Sequence, residues 1–399
     1  MLFSGMNKES RGILAKAFGI HGNAFTMSVH KYLLSGSSLK SVTSTAVDRL
    51  SASLPNNFAS DGDKGFLALV RHELTLALTG AIYGPENPYD DPAIESSWCD
   101  FVPGINHLLY SPFPALTARK ALRARGRVVA AFRKYFATGG HLQAFPMISE
   151  MYEANKSQGL APEEAAKMEM ATSLAMLSSG SNTTFWFLYQ IFSDSRVLRS
   201  VREELSALST HQDCASDVTK RRILRLDLVK TQCPTLIAVL HETLRYHSSV
   251  INIKQVQHDT TLANHYLLKK HSIVMIPGQS IHHDEQIWGP SAGVFDHHRF
   301  SDPESKRKLS STSAFRPFGA GSTMCPGRHF STNVICSLVV MVVLQFDILP
   351  NGGDWAAPTK RNADLWNAMP KPDGDINVKI MRRVEDAEIE WKFVWAEEV

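Results

Sequence analysis

The chain has 399 residues, 44% of them hydrophobic and 20% charged, which is enough to bury a large core. Its formal net charge of +3 is too small to favour nucleic acid, so no nucleic-acid partner is expected. Five scattered cysteines, an odd number, argue against a disulfide framework and indicate a reducing compartment. Two short basic stretches, 119–127 and 220–225, also contain apolar residues, and we interpret them as solvated faces of helices.

The N-terminal segment lacks the sustained apolar core that a signal peptide or a spanning helix requires. The longest apolar run, Leu338–Leu344, is much shorter than the ~20 residues that cross a bilayer. The sequence as given is therefore expected to be soluble, or at most peripheral to a membrane.

Over most of the first 240 residues, apolar side chains recur at three- and four-residue spacing, which is typical of helices that face a core. The segments predicted as helices are 38–53, 63–83, 116–136, 143–157, 195–208 and 233–246. From Val250 the pattern becomes short and partly alternating, with turn residues between the segments, and this predicts strands. The predicted strands are 251–257, 260–268, 272–277, 376–384 and 388–395.

These patterns predict one domain, 1–399, that is mainly α with a smaller β part, an α+β class. Residues 1–240 and 327–344 are expected to be mostly helical. Residues 250–280 and 375–395 are expected to be rich in sheet.

An apolar helix is predicted over 171–192, with seven residues at 178–184 that are polar apart from one glycine. Hydroxyl side chains in a helix can bond back to carbonyl groups and bend it, so both a structural bend and a functional kink are open. The side chains of Leu177, Phe185 and Trp186 either line a lipophilic pocket or belong to the core.

Glu242 and Arg245 lie three residues apart in an apolar segment, so they share one face of a predicted helix. Taken alone, this pattern is typical of a surface ion pair. Arg299, in the segment FDHHRF, supplies a second cation, and a carboxylate that two arginines satisfy can be buried.

The most informative segment is FRPFGAGSTMCPGRHF at 315–330, in which Cys325 directly precedes a predicted helix that runs from Gly327 to Leu344. Backbone N–H groups and the positive end of the helix dipole can stabilise a thiolate in that position. The glycines of the loop, Gly319, Gly321 and Gly327, permit backbone conformations and close approaches that a Cβ would block. The ring of Phe318 can cover the sulfur from water.

The string Phe-Gly-x-Gly-x-x-x-Cys-x-Gly-Arg resembles the haem-binding loop of the cytochrome P-450 family. The resemblance implies that Cys325 is the axial ligand of the iron of haem b, with Phe318, Gly319 and Gly327 beside the cofactor. A cysteine thiolate in this role pushes electron density towards O–O cleavage. Thr323 stands where most members have Arg or His, and this departure is similar to the cholesterol 7α-hydroxylase, sterol 12α-hydroxylase and prostacyclin synthase branch.

In this family a Glu-x-x-Arg helix and a later arginine form a structural triad beside the haem loop. The resemblance assigns that role to Glu242, Arg245 and Arg299, although His297 stands where proline is usual. Lys254 occupies a position at which members place a basic residue for a haem propionate. A solvent-exposed strand lysine is the alternative for Lys254.

The family's distal helix carries an acid and an alcohol that relay protons. Asn182 takes the acid position and Thr183 the alcohol position, so these two residues are the candidate catalytic pair. An amide cannot donate and recover a proton as a carboxylic acid does, although it can orient water for Thr183. Asn182 therefore leaves the type of reaction open.

The resemblance implies a haem-thiolate monooxygenase that hydroxylates a lipophilic substrate such as a sterol, terpenoid or alkaloid, in secondary-metabolite biosynthesis. Molecular oxygen and NADPH-cytochrome P-450 reductase are the expected partners. One alternative is a reductase-independent isomerase of the prostacyclin-synthase type, and another is a truncated relic without catalysis.

The chain as given looks like this fold without its usual N-terminal ~100 residues, which normally include a membrane anchor and the first strands. The family resemblance implies association with the endoplasmic reticulum membrane. Without an anchor in the sequence as given, a cytoplasmic location is the alternative.

Overall fold

The structure is a computed structural model that describes residues 3–20, 24–59, 63–212, 220–302, 313–321, 324–363, 367–383 and 389–395. The first helices are α1 (Lys8–Ile20), α2 (Ala24–Leu33), α3 (Gly36–Ala59), α4 (Phe66–Tyr83), α5 (Pro92–Phe101), α6 (Ile105–Tyr110), α7 (Pro114–Thr117) and α8 (Arg119–Ala137). They are followed by α9 (Pro146–Ser157), α10 (Pro162–Leu177), α11 (Gly180–Phe192), α12 (Ser195–Leu208), α13 (Val229–Gln232) and α14 (Pro234–His247). The last helices are α15 (Gly278–His282), α16 (Glu285–Trp288) and α17 (Arg328–Gln345).

The strands are short and lie mostly in the second half of the chain. They are β1 (Lys64–Gly65), β2 (Thr210–Gln212), β3 (Lys220–Arg225), β4 (Ile251–Gln255), β5 (Thr260–Leu262), β6 (Tyr266–Leu268), β7 (Ile273–Pro277), β8 (Phe346–Pro350), β9 (Asn377–Arg382) and β10 (Ile389–Val394). The mainly α class with a smaller β part is therefore confirmed. Most of the predicted helices and strands are present with shifts at their ends, and residues 384 and 388 of two predicted strands lie outside the described residues. The single strand predicted over 260–268 is wrong: left-handed φ angles at Ala263 and Asn264 turn the chain there, and the segment forms the antiparallel pair β5 and β6. The helix predicted over 171–192 is divided into α10 and α11.

Two apolar helices, α4 and α17, form the centre of the core. From Val334 to Leu344 the side chains of α17 are almost all fully buried, against α3, α4 and α11. A helix that is apolar on every face must be covered on every face, and this explains its central place. The cysteines at 99, 233, 325 and 336 are free, and Cys214 lies outside the described residues.

Within the described residues, two helical segments are long and apolar enough to cross a membrane, Phe66–Glu86 and Arg328–Gln345. In each of them the most apolar stretch is mostly buried in the fold, 78% and 72% respectively. Such burial is typical of the core helices of a globular protein, so these segments are weak evidence for a membrane span.

The basic stretch 220–225 is not a helix face, and that interpretation is wrong. It forms β3, the central strand of the sheet order β10-β3-β2, in which β3 runs parallel to β10 and antiparallel to β2. The Arg221 guanidinium pairs with Glu390 of β10 at 2.7 Å, and Arg222 lies over the ring of Trp391. These partners are remote in sequence, so they override the local helical pattern. The other basic stretch, 119–127, is a partly exposed face of α8, as predicted.

The remaining strands form three small antiparallel sheets. One has the order β1-β9-β8, and the other two are the pairs β4-β7 and β5-β6. In the pair β4-β7, Ile251 lies opposite Pro277 and Lys254 opposite Val274. β4 begins at Ile251, four residues after α14 ends at His247.

The N-terminus of α4 is capped by a residue from the far end of the chain. Gly65 at the N-cap offers no side chain, and the Asp375 carboxylate accepts hydrogen bonds from the N–H groups of Leu67 (2.6 Å) and Ala68 (3.0 Å). The carboxylate satisfies two of the free helix donors and lies at the positive end of the helix dipole.

Substitution of Asp375 with alanine should lower the free energy of unfolding by about 1–2 kcal/mol, because α4 loses its only side-chain cap among the described residues. Urea unfolding followed by circular dichroism measures the change. The exposed Asp354→Ala is the matched control, and an equal effect of both substitutions would contradict the capping role.

Candidate functional site

A largely apolar cavity of about 530 Å³ lies between the helices and the loop that precedes α17. Its walls come from α2, α4, α9, α10, α11, α14, the start of β4, the segments 317–319 and 325–327, and α17. This volume is in the range of small-molecule and cofactor sites. The cavity brings together two motifs that are far apart in the sequence, the cysteine loop and the polar break in the 171–192 helix.

The cysteine loop is closed by hydrogen bonds of its own backbone. The Cys325 N–H donates to the Phe318 carbonyl at 2.8 Å, and the Gly319 N–H donates to the Arg316 carbonyl at 3.0 Å. Gly319 and Gly321 adopt left-handed φ angles of 82° and 64°, which side chains disfavour. The glycine requirement predicted for these two positions is thus explained by their backbone conformation.

The Cys325 thiol lies at the N-terminus of α17, where the sequence analysis expects it. Burial raises the pKa of the Cys325 thiol, while backbone N–H groups of Gly327 and Arg328 and the charge of Arg328 oppose that rise. The Arg328 guanidinium also donates to the Cys325 carbonyl at 3.0 Å, which holds it beside the loop. Cys325 is half-buried, and its sulfur is supplied with donors for the anionic form.

Gly327 differs from the other two glycines, and the conformational reason given for it is wrong. Its φ of −84° is ordinary, and an added Cβ would meet no described protein atom within 4 Å. Gly327 and Phe318 both line the cavity, so the space beside the Gly327 backbone is open to a bound group. Thr323, which marks the branch resemblance, lies outside the described residues.

The predicted helix over 171–192 is divided into α10 and α11, with the break at Ser178 and Ser179. Hydroxyl groups bond back to carbonyls four residues earlier, including Thr183 to Ser179 at 2.8 Å and Thr184 to Gly180 at 2.9 Å. Asn367 accepts from the Ser179 hydroxyl at 3.0 Å and donates to the Ser178 carbonyl at 3.3 Å. The bend is therefore held both by local hydroxyl groups and by a side chain from the tail.

The two residues of the candidate catalytic pair lie in different surroundings. Thr183 is 5% exposed and lines the cavity. Asn182 is outside the set of residues that form the cavity wall, and its amide nitrogen donates to the carbonyls of Met369 (2.9 Å) and Ser178 (3.3 Å). The Asn182 amide group is thus bound to the backbone rather than directed at Thr183.

The three large apolar residues of this region belong to the core. Leu177, Phe185 and Trp186 are buried and are not part of the cavity wall. The Trp186 ring stacks on His247 with 4.2 Å between the centroids, and its indole N–H donates to the Pro370 carbonyl at 2.9 Å. Of the two open interpretations, the core role is the one that the structure bears out.

Glu242, Arg245 and Arg299 come together in a buried cluster. Arg245 donates two hydrogen bonds of 2.7 Å to the Glu242 carboxylate, and Arg299 Nε lies 3.5 Å from the same carboxylate. Both Glu242 and Arg245 are fully buried, and the Asp296 N–H adds a third donor at 2.8 Å. Burial raises the pKa of the Glu242 carboxyl, and the Arg245 guanidinium opposes this rise.

A continuous path of hydrogen bonds joins this cluster to the cysteine loop. Arg245 donates to the His282 carbonyl at 2.6 Å, and the His282 ring nitrogen Nε2 accepts from the Arg316 N–H at 3.0 Å. Arg316 in turn accepts from Gly319, the first glycine of the loop. These hydrogen bonds connect the cluster of Glu242, Arg245 and Arg299 to the loop that carries Cys325, so the cluster can hold that loop in position.

Lys254 is exposed on β4, and the residues of β4 that line the cavity are its neighbours Ile251, Asn252 and Ile253. Asn252 is a functional candidate that the sequence analysis missed. Its side chain is 9% exposed, and its amide nitrogen has no hydrogen-bond partner among the described residues. Buried amide donors are normally hydrogen-bonded, so this one at the cavity wall is suited to an acceptor atom of a bound group. The sequence signal for Asn252 was its position two residues before Lys254, which puts the two side chains on the same face of the predicted strand.

Glu169 is a second residue that sequence reasoning missed. It is 2% exposed on α10, lines the cavity, and accepts a hydrogen bond of 2.9 Å from the Tyr83 hydroxyl. Burial raises the pKa of Glu169 to about 7, with the Tyr83 hydrogen bond opposing the rise. The sequence signal for Glu169 was an isolated glutamate between two methionines, Met168 and Met170, directly before the predicted apolar helix.

A cysteine loop of this geometry, beside an apolar cavity and a broken helix, defines a protein that holds a prosthetic group through a thiolate. The family model described as Cytochrome P450 matches residues 145–373, more than half of the chain. The chain therefore belongs to the cytochrome P-450 family.

Similar proteins include fungal and mammalian members of this family. The chain is 32% identical to the cytochrome P-450 monooxygenase nodJ of Hypoxylon pulicicidum over 82% of this chain and 64% of that protein. It is 27% identical to a cytochrome P-450 monooxygenase of Gibberella zeae, again over 82% of this chain and 64% of the relative. The cholesterol 7-alpha-monooxygenase of Cricetulus griseus is 28% identical over 46% of this chain and 38% of its own length. The chain thus spans 64% of the length of each of the two fungal relatives.

The family implies a haem-thiolate cofactor, and the described residues fit such a group. The cavity offers a half-buried thiol at Cys325 and open space beside Gly327. It also offers a buried amide nitrogen at Asn252 that has no hydrogen-bond partner within the described ranges. The Cys325 sulfur would hold the iron, and Phe318 and Gly319 line the same cavity.

Substitution of Arg245 with alanine should lower the free energy of unfolding by about 3–5 kcal/mol, because it leaves the Glu242 carboxylate buried without its main partner. Urea unfolding measures the loss. The control is Lys156→Ala, which removes an exposed pair with Glu153 at the same three-residue spacing and should change little. Similar losses from both substitutions would contradict the importance of burial.

Substitution of Glu169 with glutamine should stabilise the protein at pH 8 but not at pH 4.5. The folded-state pKa of about 7 lies above the ordinary value of 4.5, so the unfolded chain releases this proton first as the pH rises. Stability is therefore lost between pH 4.5 and 7, by about 3 kcal/mol in total, and glutamine removes this loss. The facing phenols of Tyr83, Tyr89 and Tyr135 have pKa values raised by burial and stay neutral in this range.

Urea unfolding of both proteins at several pH values tests this expectation. Glu163→Gln on the same helix controls for the loss of a charge, because the Glu163 side chain is 45% exposed and its ion pairs, with Arg133 at 3.5 Å and Lys167 at 3.9 Å, are long. A difference between wild type and Glu169→Gln that does not vary with pH would contradict it.

Proposed function

We propose that the chain is a haem-thiolate monooxygenase that hydroxylates a lipophilic substrate, with haem b as its cofactor. One observation carries the proposal: the Cys325 thiol, with backbone donors at its sulfur, and the Thr183 hydroxyl line the same apolar cavity. The fungal relatives are named monooxygenases, and two mammalian relatives are named a cholesterol 7-alpha-monooxygenase and a cholestane-diol 12-alpha-hydroxylase, which supports the reaction type.

The residues around the cavity have distinct proposed roles. When bound, haem b supplies one-electron and O₂ chemistry that the thiolate tunes. Thr183 holds water at its Oγ1 atom and passes protons into the cavity. Asn182 is proposed as a positioning residue, because its amide binds the Met369 carbonyl and so keeps the helix break in place.

The Glu242, Arg245 and Arg299 cluster acts through the His282 and Arg316 contacts to position Cys325. It is structural and does not touch the substrate. The exposed Lys254 and the buried Asn252, neighbours on β4, are the proposed donors for the haem propionates, Asn252 from inside the cavity and Lys254 from its rim.

The substrate proposed is a sterol, terpenoid or alkaloid scaffold of secondary metabolism. The apolar wall of the cavity, with Met147, Ile148 and Met176 among its residues, supports a large hydrocarbon ligand. Molecular oxygen and electrons from NADPH-cytochrome P-450 reductase are the proposed co-substrates. Association with the endoplasmic reticulum membrane stays a prediction from the family resemblance.

A second candidate is a reductase-independent isomerase of the prostacyclin-synthase type. The observation that favours it is Asn182, an amide that is bound to the backbone where a proton-relaying acid would otherwise stand. Such an enzyme needs neither NADPH nor a reductase.

The absorption spectrum of the reduced, CO-bound protein tests the central claim. The native chain should show the maximum characteristic of a thiolate-ligated haem, and Cys325→Ala should lose it. Cys99→Ala, which removes a free cysteine outside the cavity wall, should leave it unchanged. A thiolate-type spectrum that survives Cys325→Ala would overturn the assignment of the ligand.

Turnover of a panel of sterols and diterpenes separates the two candidate reactions. A monooxygenase consumes NADPH and O₂ only when reductase and substrate are both present. Conversion of a peroxide substrate without either would favour the isomerase.

A further inference from the structure

A buried polar cluster lies in the wall of the cavity, away from the cysteine loop. Glu169 of α10 and Tyr83 of α4 both line the cavity, and they are 2% and 0% exposed. Glu169 lies in α10 and Thr183 in α11, and the intervening chain corresponds to roughly four helical turns, at most about 21 Å because the helix is broken between them. The wall of one cavity therefore carries the Thr183 hydroxyl at one place and the Glu169 carboxyl at another, well separated along the helices.

The Glu169 carboxyl has few partners for a buried acid. The Tyr83 hydroxyl donates to Glu169 Oε1 at 2.9 Å and lies 3.0 Å from the Ser173 hydroxyl. Within the described part of the chain, no arginine, lysine or histidine forms an ion pair with Glu169. Burying an acid in this way costs free energy that an apolar residue would not, so packing alone does not explain it.

Other buried glutamates of the chain are satisfied from within the fold. Glu73 accepts hydrogen bonds from Ser53 and Asn57, and Glu242 accepts from Arg245. Neither glutamate lines the cavity. Glu169 combines weak internal pairing with a place on the cavity wall, which is the arrangement of a ligand-binding group.

We propose that Glu169 and Tyr83 form a polar subsite that binds a hydroxyl group of an otherwise lipophilic substrate, at the end remote from the oxidised carbon. A carboxyl accepts a hydrogen bond from an alcohol in either protonation state, and the phenol supplies a second polar contact. A hydrocarbon ligand keeps water away from the Glu169 carboxyl and offers it no hydrogen bond beyond the one from Tyr83, so the subsite discriminates against such a ligand. This inference rests on the proposed function, because it names the substrate class of the same cavity.

The subsite also sets the order of reactions. The substrate must already carry a hydroxyl before it enters, so an earlier hydroxylation or a cyclisation that leaves an alcohol supplies it. The distance between Glu169 and Thr183 then selects long, rigid scaffolds and directs oxidation to the opposite end.

The test compares two matched pairs of probes on the haem-loaded protein: cholesterol with cholest-5-ene, and 1-hexadecanol with hexadecane. Each pair differs only by the hydroxyl group. Dissociation constants come from spectral titration, with ligand-induced thermal stabilisation as a second readout that does not depend on the haem. The native protein should bind at least one alcohol about tenfold more tightly than its hydrocarbon.

Two variants remove the subsite in different ways. Glu169→Leu should abolish the preference for the alcohol while hydrocarbon binding is retained or improved, and Tyr83→Phe should reduce the preference severalfold. Glu169→Gln, which keeps the shape and hydrogen-bonding capacity, should retain part of it and guards against misfolding of the leucine variant. Glu163→Gln on α10, at a partly exposed position outside the cavity wall, is the matched control and should bind both probes as the native protein does.

Equal affinity of the native protein for alcohol and hydrocarbon in both pairs would overturn the proposal, and so would a preference that survives Glu169→Leu. Loss of the thiolate-type CO spectrum in the native protein would overturn the proposed function instead. Thermal stabilisation by the alcohols keeps these two failures distinguishable.

Discussion

The arrangement of the site depends on a buried ion pair between Glu242 and Arg245. The pair is fully buried, so the two charges must satisfy each other and the backbone groups around them. Arg245 uses its remaining donors on the carbonyls of His282 and Ala292, which ties the segment after β7 to α14. The His282 ring in turn accepts a hydrogen bond from the Arg316 N–H. The buried Glu242–Arg245 pair, which is shielded from water, is therefore linked to the position of the cysteine loop.

The sequence alone was sufficient for the parts of the fold that local rules determine. The long helices follow from apolar spacing, and Gly319 and Cys325 follow from the conformational and electrostatic needs of one short loop. The cluster of Glu242, Arg245 and Arg299 was predictable from the family resemblance, because the pattern of Glu242 and Arg245 alone is equally typical of a surface ion pair. The bend at Ser178 followed from a run of hydroxyl groups in an apolar helix.

What the sequence could not reveal depends on partners that are distant along the chain. The strand at 220–225 is basic, and its pairing with β10 and β2, together with the Arg221–Glu390 ion pair, makes it a strand. Glu169 is unusual only because Tyr83 and an apolar cavity surround it. In the same way, the pairing of Asn182 with the Met369 carbonyl separates it from Thr183, although the two are adjacent in the chain.

The cap on α4 has a consequence for how the chain folds as it is made. Asp375 lies 308 residues after Leu67, whose N–H it binds, so this contact is among the most non-local in the molecule. Contacts of such separation pay the full entropy of loop closure and form late. On the ribosome, a central core helix therefore keeps uncapped N–H groups at its N-terminus until the segment around Asp375 has emerged, and this part of the core is completed after the helices before it have been made.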